Sequence, residues 1–319
     1  MAASASASSR PRAELAMHGH APILVAGKTG QLARSLAEEA VLRGVALIAM
    51  ERPQLDLTDP GSVERAVAAT APRAVINAAA YTAVDQAEAE PALAFALNRD
   101  GAARLAAAAA QRGVPFIHVS TDYVFDGRKD APYREDDVPS PLGVYGRSKL
   151  AGERAVRATC PAGVILRTSW LYGRFGRNFV TTMLQLARTR ELARVVDDQH
   201  GAPTAARDLA RAILDLTERM IGADTQGRAG IYHVAAQGET TWHGFAAAIF
   251  SGWARRGRRV PQLEPITTAD YPTAARRPSN SRLDCSKIER AFGLRLPAWQ
   301  DSLESCLDEI AEACVEARP

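Results

Sequence analysis

The sequence predicts an α/β fold in which a parallel sheet carries helices on both faces. Short apolar segments with strand character alternate with longer segments of helical spacing over the first half of the chain. Strands buried on both faces form continuous apolar runs, and helical crossovers between them make neighbouring strands parallel. The 319 residues suffice for one large α/β unit and a smaller second unit.

The composition is that of an ordinary globular protein. Hydrophobic residues make up 47% and charged residues 24% of the sequence, and the formal net charge is +3. This charge is too small to indicate nucleic acid or a membrane surface as a partner. No apolar run approaches the ~18 residues of a membrane span, and the four cysteines form no C-x-x-C pair. We therefore expect a cytoplasmic protein with reduced thiols.

Five strands and the helices between them are predicted before Ser169. The first strand leads through a glycine loop into a helix that closes at Gly44. A short helix follows the second strand, with Ser62 as its expected N-cap. The alanine-rich stretch from Asp85 to Arg112 is predicted to be helical, with an interruption near Pro91. The predicted strands are PILVAG, VALIAME, RAVINAAA, VPFIHVSTD and GVILRTSW.

The regular alternation ends after Ser169, which predicts a second domain. Helices are expected at TTMLQLARTRE and at TAARDLARAILDLTERM, the latter with Thr204 as N-cap, and strands at ARVVDD and GIYHVAA. The Arg- and Pro-rich segment from Arg255 to Arg282 indicates irregular structure, and a helix near Asp301 to Ala317 closes the chain. We assign residues 21–168 and about 205–237 to a dinucleotide-binding domain, about 169–204 and 238–319 to a substrate-binding domain, and 1–20 to a disordered tail.

A glycine loop at the first strand–helix junction predicts a dinucleotide site. Gly27 permits a tight turn, and Gly30 lets the backbone approach a pyrophosphate that rests on the helix N-terminus. Ala33, in the place of a third glycine, is small enough for close packing of helix against strand. The G-x-x-G-x-x-A pattern gains weight from its place at a first βα junction. The sheet is therefore predicted to be of the doubly wound Rossmann type.

The end of the second strand is expected to hold the ribose next to the adenine. Glu51, about twenty residues after the loop, is placed to accept hydrogen bonds from the ribose hydroxyls. Arg52 follows directly and could instead pair with a 2′-phosphate, so NAD and NADP both stay open. Asp56 begins the next loop, where it could reach the adenine or serve as a turn residue.

Tyr145 and Lys149 lie four residues apart and share one face of a predicted helix. A free tyrosine has a pKa near ~10, and a neighbouring ammonium lowers that pKa toward useful acid–base work. Taken alone, the Y-x-x-x-K pattern is common by chance and is more typical of an exposed helix surface. The glycine loop favours catalysis, as do Ser120, Thr121 and Asp122 at a carboxyl strand end, because doubly wound sheets bind ligands there.

Seven motifs together resemble the extended short-chain dehydrogenase/reductases and, more closely, their dTDP-4-dehydrorhamnose reductase family. The interval from Thr121 to Tyr145 is also similar to that of short-chain dehydrogenases. The likeness covers roughly Ile23 to Ala311, and the set is specific although each motif is modest. The motifs are GKTGQLA, NAAAYTAVDQAE, STDYVFDG, SPLGVYGRSKLAGE, RTSWLYG, DQHGAPT and RRPSNSRLD.

The resemblance implies reduction of the 4-keto group of a dTDP-bound deoxy sugar, dTDP-4-dehydro-β-L-rhamnose, by NADPH or NADH. It makes Tyr145 the proton donor, Lys149 its electrostatic partner and Thr121 the hydroxyl that bonds the carbonyl oxygen. The cofactor contacts expected from the loop and the resemblance are Gly27, Gly30, Gln31, Leu32, Glu51, Arg52, Asp56, Leu57, Ala80, Tyr81, Thr82, Val119, Tyr145 and Lys149. The implied substrate contacts are Thr121, Asp122, Trp170, Asn178 and Arg282.

The sequence departs from the family pattern at Ala33 and at Ser35, where some relatives carry a glutamate that holds magnesium at a dimer contact. We therefore expect no metal from that source, and a homodimer stays open. The nearest alternative function is a reductase of another nucleotide-activated keto deoxysugar. Another is a non-catalytic NADP-binding regulatory subunit, because fold alone does not establish function. A dehydratase is disfavoured, because Tyr123 stands where dehydratases usually carry a second acid.

Overall fold

The computed structural model describes residues 21–221 and 228–316, so the predicted tail at residues 1–20 lies outside the described residues. The strands are β1 (Ile23–Ala26), β2 (Leu47–Met50), β3 (Ala74–Asn77), β4 (Phe116–Thr121), β5 (Val164–Thr168), β6 (Leu171–Tyr172), β7 (Leu192–Val196), β8 (His200–Gly201), β9 (Thr204–Ala205), β10 (Gly230–His233), β11 (Thr240–Thr241) and β12 (Gln262–Ile266).

Helices separate most of these strands. The α-helices are α1 (Gln31–Arg43), α2 (Pro60–Thr70), α3 (Val84–Ala87), α4 (Pro91–Phe95), α5 (Ala102–Arg112), α6 (Val144–Thr159), α7 (Phe179–Thr189), α8 (Ala206–Met220), α9 (Trp242–Arg255), α10 (Ser286–Phe292) and α11 (Trp299–Glu316). A π-helical segment, Ala96–Gly101, joins α4 to α5, and 3₁₀ turns cover Asp122–Val124 and Thr268–Asp270. Within the described ranges, no helix combines the length and the apolar character needed to cross a membrane.

Six strands form one parallel sheet in the order β2-β1-β3-β4-β5-β10. This sheet confirms the predicted α/β class. The order reverses between β1 and β3, so the loops that follow these two strands diverge at the carboxyl edge of the sheet. Doubly wound sheets bind their ligands in the crevice at such a switch point.

Apolar cores cover both faces of the sheet, as its buried strands require. Successive side chains of a strand point to opposite faces, and β1 shows the consequence. Ile23 and Val25 pack against α1 and α8, whereas Leu24 and Ala26 pack against α2 and α5. Packing on two faces determines where the strand ends lie, and with them the residues at the switch point.

A second apolar core lies away from the central sheet. It gathers buried residues of α7, β7, α9 and α11, among them Phe245 and Leu303. Beside it β7 pairs in parallel with β12. These segments belong to the part of the chain predicted to bind substrate, and the exact domain boundaries stay a prediction.

Both predicted helix caps are wrong. Asp59 caps α2 through its side chain, so Ser62 lies inside the helix. Pro60 occupies the first helical position, where its missing N–H costs nothing. Thr204 pairs in the short strand β9, and α8 begins only at Ala206. The N-cap positions are held by Asp59 in α2 and by Ala205 in α8.

The predicted interruption near Pro91 is confirmed, because α3 ends at Ala87 and α4 begins at Pro91. The π-helical segment that follows packs tightly against α6. A Cβ on Gly152 of α6 would lie 2.0 Å from the Asn98 carbonyl oxygen. Glycine at this position lets the two backbones touch, which brings α6 and its Lys149 close to the sheet.

Candidate active site

A cavity of about 810 Å³ opens at the carboxyl edge of the sheet. Its walls come from the loops after β1 to β5 and from the first turns of α6. The predicted site residues that line it are Gly27, Gly30, Gln31, Leu32, Glu51, Arg52, Asp56, Leu57, Ala80, Thr82, Val119, Thr121, Asp122, Tyr145, Lys149 and Trp170. Segments far apart in sequence therefore converge on one space.

Three predicted site residues lie outside this cavity. Tyr81 is buried, and its hydroxyl donates to Glu90 Oε2 at 2.7 Å. Asn178 caps α7 through its side chain. Arg282 lines a separate cavity of about 460 Å³ and pairs with Glu239 at 2.8 Å. Each of these side chains is occupied by a contact within the protein itself.

The glycine loop has the geometry that a pyrophosphate needs. Gly27 has φ of +98°, a conformation that other residues rarely adopt. Gly30 is the N-cap of α1, and a Cβ at Gly30 would have no heavy atom within 4 Å. The first N–H groups of a helix have no partner within it, so they can bind phosphate oxygens in this open space. The loop thus fits a dinucleotide.

Replacing Gly27 with alanine should lower the free energy of unfolding by about 1–2 kcal/mol, because an L-residue is strained at positive φ. The added methyl group would approach Ala78 and Ala79 no closer than 3.4 Å, so backbone strain dominates the cost. Gly30 has φ of −63°, which makes Gly30→Ala a matched control with a smaller cost. Urea unfolding measures both variants, and equal stabilities would contradict the assignment of strain to Gly27.

Two acidic residues in the part of the cavity predicted to bind the adenine and its ribose accept hydrogen bonds from threonines. Glu51 Oε2 accepts hydrogen bonds from the N–H of Thr29 at 3.0 Å and from its hydroxyl at 2.7 Å. Asp56 Oδ1 accepts from the N–H and hydroxyl of Thr58 at 2.8 and 2.7 Å. These bonds lower the pKa of both carboxyls, so both are charged at neutral pH. No pattern in the sequence pointed to the contact between Thr29 and Glu51.

Tyr145 and Thr121 meet inside the cavity. The Thr121 side chain lies beside the Tyr145 phenol, and the Thr121 hydroxyl donates to Asp122 Oδ1 at 3.0 Å. Burial raises the pKa of Tyr145 to about 12, the interaction with the Thr121 hydroxyl opposes this shift, and the Asp122 charge adds to it. At neutral pH the phenol therefore keeps its proton and can act as a donor.

Lys149 lies one helical turn after Tyr145 and is only 1% exposed. Its Nζ donates to the Val119 carbonyl oxygen at 2.7 Å. Burial lowers the pKa of Lys149 to about 8, while the charge of Glu153 acts in the opposite direction. Such an amine can both hold and release a proton near neutral pH.

Asp122 and Tyr123 extend this polar wall. Burial raises the pKa of Asp122 to about 6, although hydrogen bonds with Ser281 and Thr121 oppose the shift. The ring of Tyr123 meets that of Tyr145 edge-on, with centroids 5.5 Å apart. In the sequence, Tyr123 is distinguished only by the absence of a second acid after Asp122, and no local pattern predicts its place in the cavity wall.

Two tryptophans form an aromatic wall of the cavity. Trp170 stacks on Trp242 with centroids 3.6 Å apart and planes 8° from parallel. Trp170 has φ of +47°, an uncommon conformation for a bulky residue. A Cβ on Gly201 would lie 2.4 Å from the Trp170 ring, so this glycine makes room for it. Trp242 was not predicted, since no sequence pattern links it to Trp170.

Among the described residues, no group of three or more His, Cys, Asp or Glu side chains is placed to bind a metal ion. His118 lies behind Lys149, and His233 Nδ1 lies 3.0 Å from the Tyr133 carbonyl oxygen.

The chain is similar to known proteins over most of its length. Residues 21–312 match the family model described as the RmlD substrate binding domain. A dTDP-4-dehydrorhamnose reductase from Sinorhizobium fredii is 48% identical over 280 residues, which cover 88% of this chain and 94% of that protein. A dTDP-4-dehydrorhamnose reductase from Salmonella typhimurium is 43% identical over 296 residues, covering 90% and 97%.

Solved structures of similar proteins share the architecture. The dTDP-4-dehydrorhamnose reductase of Bacillus anthracis, in complex with NADP, superposes with a TM-score of 0.84 at 36% identity, covering 91% of this chain and 100% of that one. The corresponding structure from Clostridium acetobutylicum gives a TM-score of 0.84 at 37% identity, covering 91% and 99%.

Proposed function

We propose, from the premise that this chain belongs to the dTDP-4-dehydrorhamnose reductase family, that it reduces dTDP-4-dehydro-β-L-rhamnose to dTDP-L-rhamnose with NADPH or NADH. The proposed residue roles are supported by one observation: Tyr145, Lys149 and Thr121 line the same cavity as the glycine loop. A reduced nicotinamide bound in this cavity would supply hydride to C4 of the sugar, and the protein would supply orientation, charge and a proton.

The cavity lining offers a separate place for each part of the dinucleotide. Gly27, Gly30 and the first turn of α1 would hold the pyrophosphate. Glu51 and Arg52 would hold the ribose that carries the adenine. Glu51 suits a free ribose hydroxyl, and Arg52 suits a 2′-phosphate. The further lining residues assigned to the dinucleotide are Gln31, Leu32, Asp56, Leu57, Ala80, Thr82 and Val119.

Tyr145 gives the proton to the C4 oxygen. Because its hydroxyl lies beside that of Thr121, a carbonyl oxygen placed between them can accept from both once Thr121 turns its hydroxyl away from Asp122. The charge that develops on this oxygen makes it more basic than a phenolate, so proton transfer from Tyr145 is favourable. The Lys149 ammonium, one helical turn away, stabilises the phenolate left behind.

The sugar would lie between this polar wall and the aromatic one. Trp170, supported by Trp242, offers a flat apolar face to the deoxy sugar. Asp122 is buried beside Thr121 and can accept a hydrogen bond from a sugar hydroxyl. Residues 21–168 and about 205–237 would then bind the dinucleotide, and the remainder of the described chain the sugar nucleotide.

The partners proposed are small molecules, with no role for nucleic acid or membrane. The enzyme would act in the cytoplasm, where reduced nicotinamide cofactors are kept. A homodimer is proposed as well, because Val41 and Leu42 of α1 are 80% and 71% exposed and offer apolar surface to a second copy. Light scattering on the purified protein gives its mass in solution, and a monomeric mass would contradict the dimer.

Turnover with the sugar nucleotide tests the proposed reaction. Purified protein with enzymatically generated dTDP-4-dehydro-β-L-rhamnose should oxidise NADPH or NADH at a rate that depends on the sugar. The product should carry two additional hydrogen atoms and the L-rhamno configuration by mass spectrometry and NMR. Tight NADPH binding without oxidation would contradict the proposal and favour another keto deoxysugar or a regulatory subunit.

A further inference from the structure

A histidine with no assigned role lies directly behind the proposed catalytic lysine. His118 on β4 is fully buried, and its Nε2 lies 3.5 Å from Nζ of Lys149. On the far side of the ring, Nδ1 lies 3.1 Å from Nδ2 of Asn77 at the end of β3. Asn77, His118 and Lys149 therefore form a chain that runs from the sheet to the cavity.

The orientation of the Asn77 amide determines which nitrogen of His118 carries the proton. Asn77 Oδ1 accepts a hydrogen bond from the N–H of Ala79 at 3.2 Å, so Nδ2 must face the imidazole. An amide NH₂ group only donates, hence the His118 Nδ1 must accept with its lone pair. In a neutral ring the proton then sits on Nε2, the atom that faces Lys149.

We propose that Asn77 holds His118 in the Nε2–H tautomer, and that this N–H, directed at Nζ of Lys149, lowers the affinity of the lysine for its proton. Two donors that face each other repel, and the repulsion is greater when Nζ is an ammonium. The opposite tautomer would present a lone pair, which would accept a hydrogen bond from the ammonium and favour the charged lysine.

The imidazole ring of His118 is neutral at neutral pH. Burial, together with the charge of Lys149, holds the pKa of His118 well below its usual range. His118 therefore acts on Lys149 through the direction of its N–H and not through a charge of its own.

The other ionisable groups around Lys149 do not replace this effect. On α6, Glu153 favours the ammonium, but its carboxylate already binds Arg167 of β5. Asp122 in the neighbouring 3₁₀ turn is engaged with Thr121. Three further charged residues on elements packed against α6 have partners elsewhere: Asp85 binds Arg277, Arg99 binds Asp100, and Arg104 binds the Leu57 carbonyl oxygen. Arg112, the last residue of α5, is exposed to solvent.

The consequence for turnover depends on the proposed function. After Tyr145 has given its proton to the substrate, a proton can pass from the Lys149 ammonium to the phenolate, which leaves a neutral amine and a phenol. The amine then takes a proton from solvent. A lysine with weakened proton affinity performs the first of these transfers more readily, so His118 acts as a positioning residue for proton supply.

Nuclear magnetic resonance tests the tautomer without any assay of activity. The chain has six histidines and four lysines, so selectively labelled spectra are simple. With ¹⁵N-labelled histidine, the signals absent from a His118→Leu variant identify the ring. We expect a protonated, pyrrole-type Nε2 and an unprotonated, pyridine-type Nδ1. A proton on Nδ1 in the wild-type protein would overturn the proposal, whether or not the protein reduces the sugar.

Asn77→Asp tests the link to the lysine. A carboxylate only accepts, so it should move the ring proton to Nδ1 and leave a lone pair facing Lys149. Titration of ¹³C-labelled lysine should then show a proton affinity of Lys149 raised by about tenfold or more. Asn98→Asp is the matched control. Asn98 is also a buried asparagine, but its side chain donates to Ser148 of α6 and does not contact His118. It should leave the tautomer unchanged.

The added charge of Asn77→Asp must be separated from its effect on the tautomer. The same change is therefore made in the His118→Leu background, where no tautomer exists, and the two titration shifts are compared as a double-mutant cycle. We expect a clearly smaller shift without the ring, by about threefold or more. Equal shifts in the two backgrounds would show that charge alone acts, and would overturn the role of His118.

Discussion

Tyr145→Phe should lose about 10²–10⁴-fold in kcat while the protein remains folded and still binds NADPH, because general acid catalysis by a positioned side chain contributes that much. The change removes one hydroxyl and leaves the ring. The pKa of Tyr145 is raised to about 12 in the free protein, so the wild-type phenol is protonated throughout the neutral range. Steady-state oxidation of NADPH with the sugar nucleotide measures kcat, and fluorescence titration measures cofactor binding.

Tyr123→Phe is the matched control for this variant. The two rings touch edge-on in the same cavity wall, so both substitutions remove a hydroxyl from the same environment. We expect Tyr123→Phe to lose far less activity, since the Tyr145 phenol interacts with the Thr121 hydroxyl, whereas the bond from Tyr123 to Thr121 comes from its backbone N–H at 3.2 Å and remains in the variant. Equal losses in the two variants would show that the environment and not proton donation is affected, and an active Tyr145→Phe would refute the role of Tyr145.

Arg167→Met should lower the free energy of unfolding by about 3–5 kcal/mol, the typical cost of leaving one partner of a buried ion pair alone. Arg167 and Glu153 are each 1% exposed and form two hydrogen bonds, at 2.9 and 2.7 Å. Ser120 adds a third bond to the same carboxylate at 2.6 Å. Without the guanidinium, Glu153 would remain as a buried charge one helical turn after Lys149. Urea unfolding measures the loss.

Two further variants distinguish the stability lost by breaking the buried ion pair from the stability lost by removing any arginine. Arg194 pairs with Glu264 on the surface at 3.2 Å, with side chains 65% and 52% exposed, so Arg194→Met should cost at most about 1 kcal/mol. The double variant Arg167→Met with Glu153→Leu should recover much of the stability, because it leaves no charge unpaired. A loss for Arg167→Met no larger than that for Arg194→Met would contradict the account of the buried pair.

The family and the fold class could be predicted from the sequence, and the comparisons and the parallel sheet confirm them. Both predictions depend on local patterns: apolar runs of strand length, the glycine loop, and the four-residue spacing of Tyr145 and Lys149. The roles of individual residues are still predictions. The geometry gathers most of the predicted residues in one cavity, whereas Tyr81, Asn178 and Arg282 are held by contacts elsewhere.

The sequence by itself determined the order of strands and helices up to Thr168 and the face of α6 that carries Tyr145 and Lys149, because backbone periodicity depends only on neighbouring residues. Beyond that point the prediction was incomplete, since β12 forms inside the segment from Arg255 to Arg282 that was predicted to be irregular. Only the tertiary structure decided which side chains meet across the sheet. The stack of Trp170 on Trp242, the bond between Thr29 and Glu51, and the contact of His118 with Lys149 each join segments far apart in the chain. Such pairs depend on how strands and helices pack, and no local pattern specifies them.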